Sequence, residues 1–116
     1  MTLSAILFGV SALGGIVMAI MRFTGKETPP MGLALLHGAL AASGLVALIV
    51  AVTGGNLSSQ ATIALGGFVI AALGGFFLFS FHLRRQALPI PVMVIHALVA
   101  VVSFVILLLA ILGARS

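Results

Sequence analysis

Several kinds of side chain on which enzymes commonly depend are absent from this sequence. Its 116 residues include no cysteine, tryptophan or tyrosine, and Glu27 is the single carboxylate side chain. The lack of cysteine excludes disulfides, thiolate metal sites, iron–sulfur clusters and covalently attached c-type haem. One carboxylate cannot provide paired-acid catalysis or a carboxylate-bridged metal centre. The chain has three histidines and five basic residues.

Charge is also scarce along the chain. Charged residues make up 5% of the sequence and hydrophobic residues 63%, whereas a soluble domain carries about 25% charged residues. With so few charged residues, the surface of a folded domain could not be made hydrophilic enough to stay soluble in water. The five basic residues do not form the stripe that binds nucleic acid, so no nucleic-acid partner is expected. The composition predicts an integral membrane protein.

Four apolar stretches are long enough to cross a bilayer, whose core of about 30 Å needs roughly 20 helical residues. They cover residues 3–21, 31–53, 61–81 and 91–112. The breaks between them contain charge, glycine or proline, which end one helix and let the next begin. The sequence therefore predicts an all-α membrane protein, a single domain over residues 1–116 folded as an up-and-down bundle of four transmembrane helices.

The basic residues predict the orientation of this bundle. The first and third loops lie on the same side and contain Arg22, Lys26, Arg84 and Arg85. The middle loop is uncharged, and Arg115 is the only basic residue on the other side. Because cytoplasmic loops are enriched in lysine and arginine, we expect the first and third loops in the cytoplasm and both termini outside. A bacterial cytoplasmic (inner) membrane fits this pattern.

The second half of the chain repeats features of the first half. Residues 12–15 and 72–75 both read Ala-Leu-Gly-Gly. The other matched pairs include Phe8 and Phe68, Arg22 and His82, Pro30 and Pro89, and His37 and His96. These matches predict a duplicated two-helix hairpin, with repeat one at about 4–54 and repeat two at about 64–113. Each repeat holds two spans, so the two copies enter the membrane in the same sense and are related by a pseudo-twofold axis along the membrane normal.

The duplication gives two histidines equivalent places. His37 lies seven residues after Pro30, and His96 lies seven residues after Pro89, so each is about 10 Å inside the membrane at 1.5 Å per residue. The second and fourth helices of an up-and-down bundle occupy one diagonal. We therefore expect these two imidazoles to face each other at one depth.

Facing imidazoles inside a membrane favour a cofactor site, because ionisable residues there are costly and mark function by default. Two imidazoles make a poor zinc site, which usually has four ligands. Haem needs only two axial protein ligands, since its porphyrin supplies four nitrogens. We therefore predict His37 and His96 as the metal ligands of a non-covalent haem b, with the repeated glycine pairs leaving room between helices.

The propionates of such a haem would need cationic partners at the cytoplasmic side. The candidates are Arg22, Arg84, Arg85 and His82, with Lys26 nearby. The arginines also serve as topology signals, and His82 also fits the role of a simple interfacial residue.

Two histidine-containing segments carry a resemblance to a known family. His37-Gly-Ala-Leu-Ala-Ala-Ser-Gly and Ile95-His96-Ala-Leu-Val-Ala resemble the small four-helix membrane b-type cytochromes, in particular the bacterial cytochrome b561-like proteins. The resemblance covers about residues 30–54 and 89–113. It implies an electron carrier, at most an oxidoreductase, that exchanges electrons with a quinone, superoxide or a protein redox partner. This chain is shorter and has three histidines, which puts more than one haem per chain in doubt.

Other functions stay open at this point. The chain could be an accessory or structural subunit of a larger membrane complex, or a homo-oligomer, with no cofactor and with histidines that bond only serine or backbone carbonyls. A copper site could use Met93, three residues before His96. A permeation pathway would need more polar residues along the spans, and a drug antiporter would need an acid in the first helix.

Overall fold

The computed structural model consists of helices joined by short loops, and it describes residues 1–55 and 58–114. In order along the described chain, the helices are α1 (Thr2–Phe23), α2 (Met31–Thr53), α3 (Ser59–Leu83) and α4 (Ile90–Ala114). Each is long and apolar enough to cross a membrane. The four predicted spans are confirmed as helices, and each predicted span lies within one of them.

The helices form a narrow bundle of 45 × 19 × 19 Å. The closest packing is between α1 and α2 and between α3 and α4, while α2–α3 and α1–α4 contacts close the ring. The second and fourth helices therefore occupy one diagonal of the bundle, as expected. Large apolar side chains cover its outer surface, including Leu73, exposed by 65%, and Phe76, exposed by 72%. An outer surface of this kind suits lipid and not water.

Helices α1 and α3 end in the same way. At the end of α1 the Lys26 amide donates to the Met21 carbonyl at 2.9 Å, and at the end of α3 the Gln86 amide donates to the Phe81 carbonyl at 2.9 Å. The residue before each amide has a positive φ, +110° at Gly25 and +53° at Arg85. Glycine adopts this conformation freely, whereas for arginine it costs about 1–2 kcal/mol. The third loop thus holds a cation at a position where glycine would fit more easily.

The first and third loops are bonded to each other. The Leu88 amide donates to the Glu27 carbonyl at 3.0 Å, and the Thr28 hydroxyl donates to the Gln86 carbonyl at 2.8 Å. The Arg22 Nε donates to the Leu88 carbonyl at 2.9 Å. We refer to these contacts as the loop clasp. They fix the two loops side by side at one end of the bundle.

The half of the bundle away from the clasp has an apolar core. The rings of Phe8 and Phe68 stack in parallel, with centroids 3.7 Å apart and planes 5° from coplanar. Leu48 and Leu107 are fully buried beside them. Gly44 of α2 lets the Phe8 ring pack closely against that helix, since a Cβ added to Gly44 would lie 3.1 Å from the ring. The packing leaves this half without buried ionisable side chains among the described residues.

Two adjacent glycines of α3 test the packing of α3 on α4. A Cβ at Gly67 would overlap the Ser103 side chain of α4, whereas a Cβ at Gly66 would meet no atom of the described residues within 4 Å. We expect Gly67→Ala to lower the free energy of unfolding in detergent by about 1–3 kcal/mol, the usual effect of overpacking. Gly66→Ala is the matched control and should leave stability unchanged or raise it. Equal stability of the two variants would contradict this helix register.

Candidate functional site

His37 of α2 is fixed against helix α1. Its Nδ1 lies 2.7 Å from the Ser11 carbonyl oxygen. A carbonyl oxygen can only accept, so Nδ1 carries the proton and donates it. The ring lies directly on Gly15, where an added Cβ would be 2.9 Å from the His37 Cε1. Glycine at this position therefore makes room for the imidazole.

His96 of α4 is held against helix α3 by the same kind of contact. Its Nδ1 lies 2.8 Å from the Ala71 carbonyl oxygen and must donate to it. A Cβ added to Gly75 would be 3.3 Å from the His96 Cε1. The two glycine pairs were expected to leave room between the helices for a haem. In the structure the space beside Gly15 and Gly75 is occupied by the imidazoles of His37 and His96.

The structure brings these two imidazoles together across the bundle. Their ring centroids are 6.3 Å apart and their planes are inclined by 80°. An ion held between two imidazole nitrogens at about 2 Å from each would place the ring centroids roughly 6 Å apart. The observed centroid separation is of the size that two imidazoles bound to one metal ion would have.

The Nδ1 proton of each ring also suits metal binding. A neutral imidazole that carries its proton on Nδ1 has a lone pair on Nε2. Neither Nε2 has a hydrogen-bond partner within residues 1–55 and 58–114. Imidazoles that bind metals usually donate their other N–H to a carbonyl or carboxylate, which fixes the ring orientation. His37 and His96 share this arrangement, because in each ring Nδ1 donates to a backbone carbonyl and Nε2 is left for a metal.

Among the described residues, no third protein ligand accompanies the pair. Within the described part of the chain, no group of three or more histidine, cysteine or acidic residues could hold a metal ion. A bare zinc or copper ion would lack ligands at such a site. The donor set therefore fits haem b better than a bare ion, because haem requires only axial ligands from the protein.

The predicted cationic partners lie at the clasp end of the bundle, but they are used differently. Arg22 is part of the loop clasp. Arg84 folds back on its own helix, where its Nε and Nη2 donate to the carbonyl and hydroxyl of Ser80 at 3.2 and 3.1 Å. Its guanidinium also lies 4.5 Å from the centre of the Phe81 ring. Arg84 and Arg85 are both exposed, but the Arg85 side chain makes none of these contacts, so it is the better placed of the two to meet a partner in solution.

His82 is buried, although an interfacial histidine would be expected to reach water. Its side chain is 7% exposed, and neither ring nitrogen makes a well-formed hydrogen bond among the described residues, although the Leu78 backbone interacts with the ring. Its nearest aromatic neighbour is Phe79, one turn earlier, with ring centroids 6.1 Å apart. An unsatisfied buried polar group costs about 1–3 kcal/mol, so His82 is an unusual residue at the end of α3.

Ser11 is the site residue that sequence reasoning did not select. It is 2% exposed, and its hydroxyl lies 3.0 Å from the His37 Nδ1. The repeat could have pointed to Ser11, because Ser11 precedes Gly15 by four residues, as Ala71 precedes Gly75. A helical interval of four residues places such positions on one face.

Comparison with known proteins adds no relative to this picture. No protein family, curated protein or solved structure matches this chain. The function must therefore be argued from the geometry of the site.

The burial of His82 generates a prediction about stability. Replacing it with leucine removes two unsatisfied nitrogens and keeps an apolar side chain in the same space. We expect His82→Leu to raise the free energy of unfolding in detergent by about 1–3 kcal/mol. His82→Asn, which keeps polar atoms without filling the space, is the control and should destabilise the protein. A loss of stability in the leucine variant would show that His82 has a polar partner in the folded protein.

Proposed function

We propose that this chain is a membrane-embedded b-type cytochrome that transfers electrons, with His37 and His96 as the axial ligands of one haem. One observation carries the proposal. Two imidazoles on diagonal helices lie with centroids 6.3 Å apart, and each uses Nδ1 to donate to a neighbouring helix. Their Nε2 atoms are thereby left for a metal.

Bound haem would supply one-electron redox chemistry, and two axial protein ligands would leave no iron position for a substrate. The protein's own residues orient the ligands and limit access. The Ser11 and Ala71 carbonyls hold the rings. The stacked Phe8 and Phe68 fill the bundle centre at the other end, so water and redox partners would reach the site from the clasp end.

The partner of this electron transfer would meet the loop end of the bundle. Arg85 is exposed there, and Arg22 and Arg84 are close to it in sequence or in the loop clasp. These cations suit a propionate or an anionic donor or acceptor. A quinone, superoxide or a protein partner each stays compatible with such a surface.

Internal duplication is part of the proposal, and equivalent contacts in both halves support it. The Ser11 and Ala71 carbonyls, sixty positions apart, accept from His37 and His96. Helices α1 and α3 end in the same motif. Shared local geometry at matched positions is better support than shared leucines or valines, which occur by chance in apolar sequence.

A second function is favoured by the same hydrogen bonds. The Nδ1 contacts of His37 and His96 join α1 to α2 and α3 to α4, which is what purely structural histidines would do. On this reading the chain is an accessory subunit of a larger membrane complex without a cofactor. The two functions differ in whether Nε2 is used.

The absorption spectrum tests the proposal directly. The protein, expressed with a haem supply and purified in mild detergent, should be red and should show sharp α and β bands after reduction with dithionite. We expect His37→Ala and His96→Ala each to abolish these bands, because a six-coordinate haem needs both ligands. His82→Ala should retain them. A colourless wild-type protein would refute haem binding and leave the accessory subunit as the better interpretation.

Asparagine variants separate the two uses of the imidazole. In His96→Asn the side-chain amide can still donate from near the Nδ1 position to the Ala71 carbonyl, but it has no equivalent of Nε2. A purely structural histidine would keep its hydrogen bond to α3 in this variant, so His96→Asn should be more stable than His96→Ala. A haem ligand would lose its metal-binding nitrogen, so the reduced α band should disappear while the melting temperature in the absence of haem stays above that of His96→Ala. His37→Asn provides the same comparison in the other half.

Insertion in a membrane and its direction are also proposed. The four apolar helices and the basic first and third loops support a multi-pass protein of a bacterial cytoplasmic membrane, with those loops in the cytoplasm.

Single cysteines can test this orientation, because the chain has none of its own. Gln86 lies in the third loop, and Thr53 ends α2 at the opposite end of the bundle. In intact cells, an impermeant maleimide should label Thr53→Cys and should label Gln86→Cys only after the membrane is permeabilised. The reverse pattern would invert the topology.

A further inference from the structure

The two histidines have different surroundings, although their positions match. His37 contacts Ser11 through both the backbone carbonyl and the hydroxyl of that serine. The equivalent of Ser11 in the second half is Ala71, which offers His96 its carbonyl alone. One side-chain oxygen therefore distinguishes the two imidazoles.

The direction of each hydrogen bond around His37 can be assigned. The Ser11 hydroxyl donates its own proton to the His37 backbone carbonyl at 2.8 Å. Its oxygen then has lone pairs to offer the His37 Nδ1, 3.0 Å away. The Nδ1 proton thus lies between two acceptors, the Ser11 carbonyl at 2.7 Å and the Ser11 hydroxyl oxygen. Among the residues that the structure describes, His96 donates to a single acceptor, the Ala71 carbonyl.

We propose that Ser11 is a positioning residue that makes His37 the more strongly electron-donating of the two axial ligands. This inference rests on the proposed haem site. An additional acceptor at the N–H of an imidazole raises the basicity of its other nitrogen. A more basic ligand stabilises ferric over ferrous iron, so the Ser11 hydroxyl lowers the reduction potential of the site.

The location of Ser11 limits the alternatives. Its side chain is 2% exposed, so its hydroxyl does not serve a partner in solution. A buried serine in a helix commonly bonds a carbonyl of its own helix, as Ser103 does with the Val99 carbonyl at 2.7 Å. Ser11 instead bonds across to α2 at the backbone and ring of one residue.

Exchange of the hydroxyl between the two halves tests the inference. Redox titration of the reduced α band would compare the wild type with Ser11→Ala, Ala71→Ser and the double variant carrying both. We expect Ser11→Ala to raise the midpoint potential and Ala71→Ser to lower it, each changing the ferric-to-ferrous ratio at fixed potential roughly fivefold, the size of one hydrogen bond. The double variant should return close to the wild type. Ser103→Ala is the matched control and should leave the potential unchanged.

A second readout needs no haem. In protein labelled with ¹⁵N-histidine and prepared without haem, the Nδ1–H signals of His37 and His96 should differ. Ser11→Ala should move the His37 signal toward that of His96, and Ala71→Ser should move the His96 signal the other way. A merely structural serine would change the melting temperature without this reciprocal pattern.

The outcomes distinguish this inference from the function on which it rests. A red wild-type protein whose potential is the same in Ser11→Ala and Ala71→Ser would overturn the role of Ser11 and leave the cytochrome intact. A colourless wild-type protein would overturn the cytochrome, and the inference with it. Identical Nδ1–H signals for both histidines in the wild type would overturn the assigned hydrogen bonds themselves.

Discussion

The hydrogen bond from an imidazole Nδ1 to the backbone carbonyl of a neighbouring helix organises this bundle. It occurs once in each half, from His37 to Ser11 and from His96 to Ala71. An imidazole in apolar surroundings needs such a partner, because an unsatisfied N–H there is costly. The bond requires the two helices to approach closely, and the absence of a side chain at Gly15 and Gly75 makes that approach possible. Tautomer, ring orientation and helix spacing therefore depend on one another.

Support of the helices and the proposed metal binding would not be competing uses of these rings. The first uses the proton on Nδ1, and the second would use the lone pair on Nε2. Removing the whole imidazole tests both uses at once. An amide side chain separates them, because it keeps a donor near the position of Nδ1 and has nothing at the position of Nε2. The same reasoning applies to any buried histidine whose first nitrogen is bonded to a backbone carbonyl.

The sequence predicted the helices well, because long apolar runs interrupted by charge, glycine and proline have few other solutions. The spacing of His37 and His96 from their prolines also indicated two rings at one depth. The contacts of the Ser11 hydroxyl and of the glycines were harder to predict from the sequence, since they depend on how far each helix is rotated about its axis. That rotation places Ser11 against His37, and it buries His82. Periodicity alone does not determine it when every face of a helix is apolar.

The stack of Phe8 on Phe68 gives the bundle unequal ends. Beyond it the helices enclose hydrocarbon side chains such as Leu48 and Leu107, whereas the histidines lie between the stack and the loops. If electrons are carried, they would enter and leave by the same face, because the described residues of the opposite half include no histidine, cysteine or acidic side chain that could hold a second metal centre. The protein would then exchange electrons with partners on one side of the membrane. Electron transfer across the membrane would require a second protein.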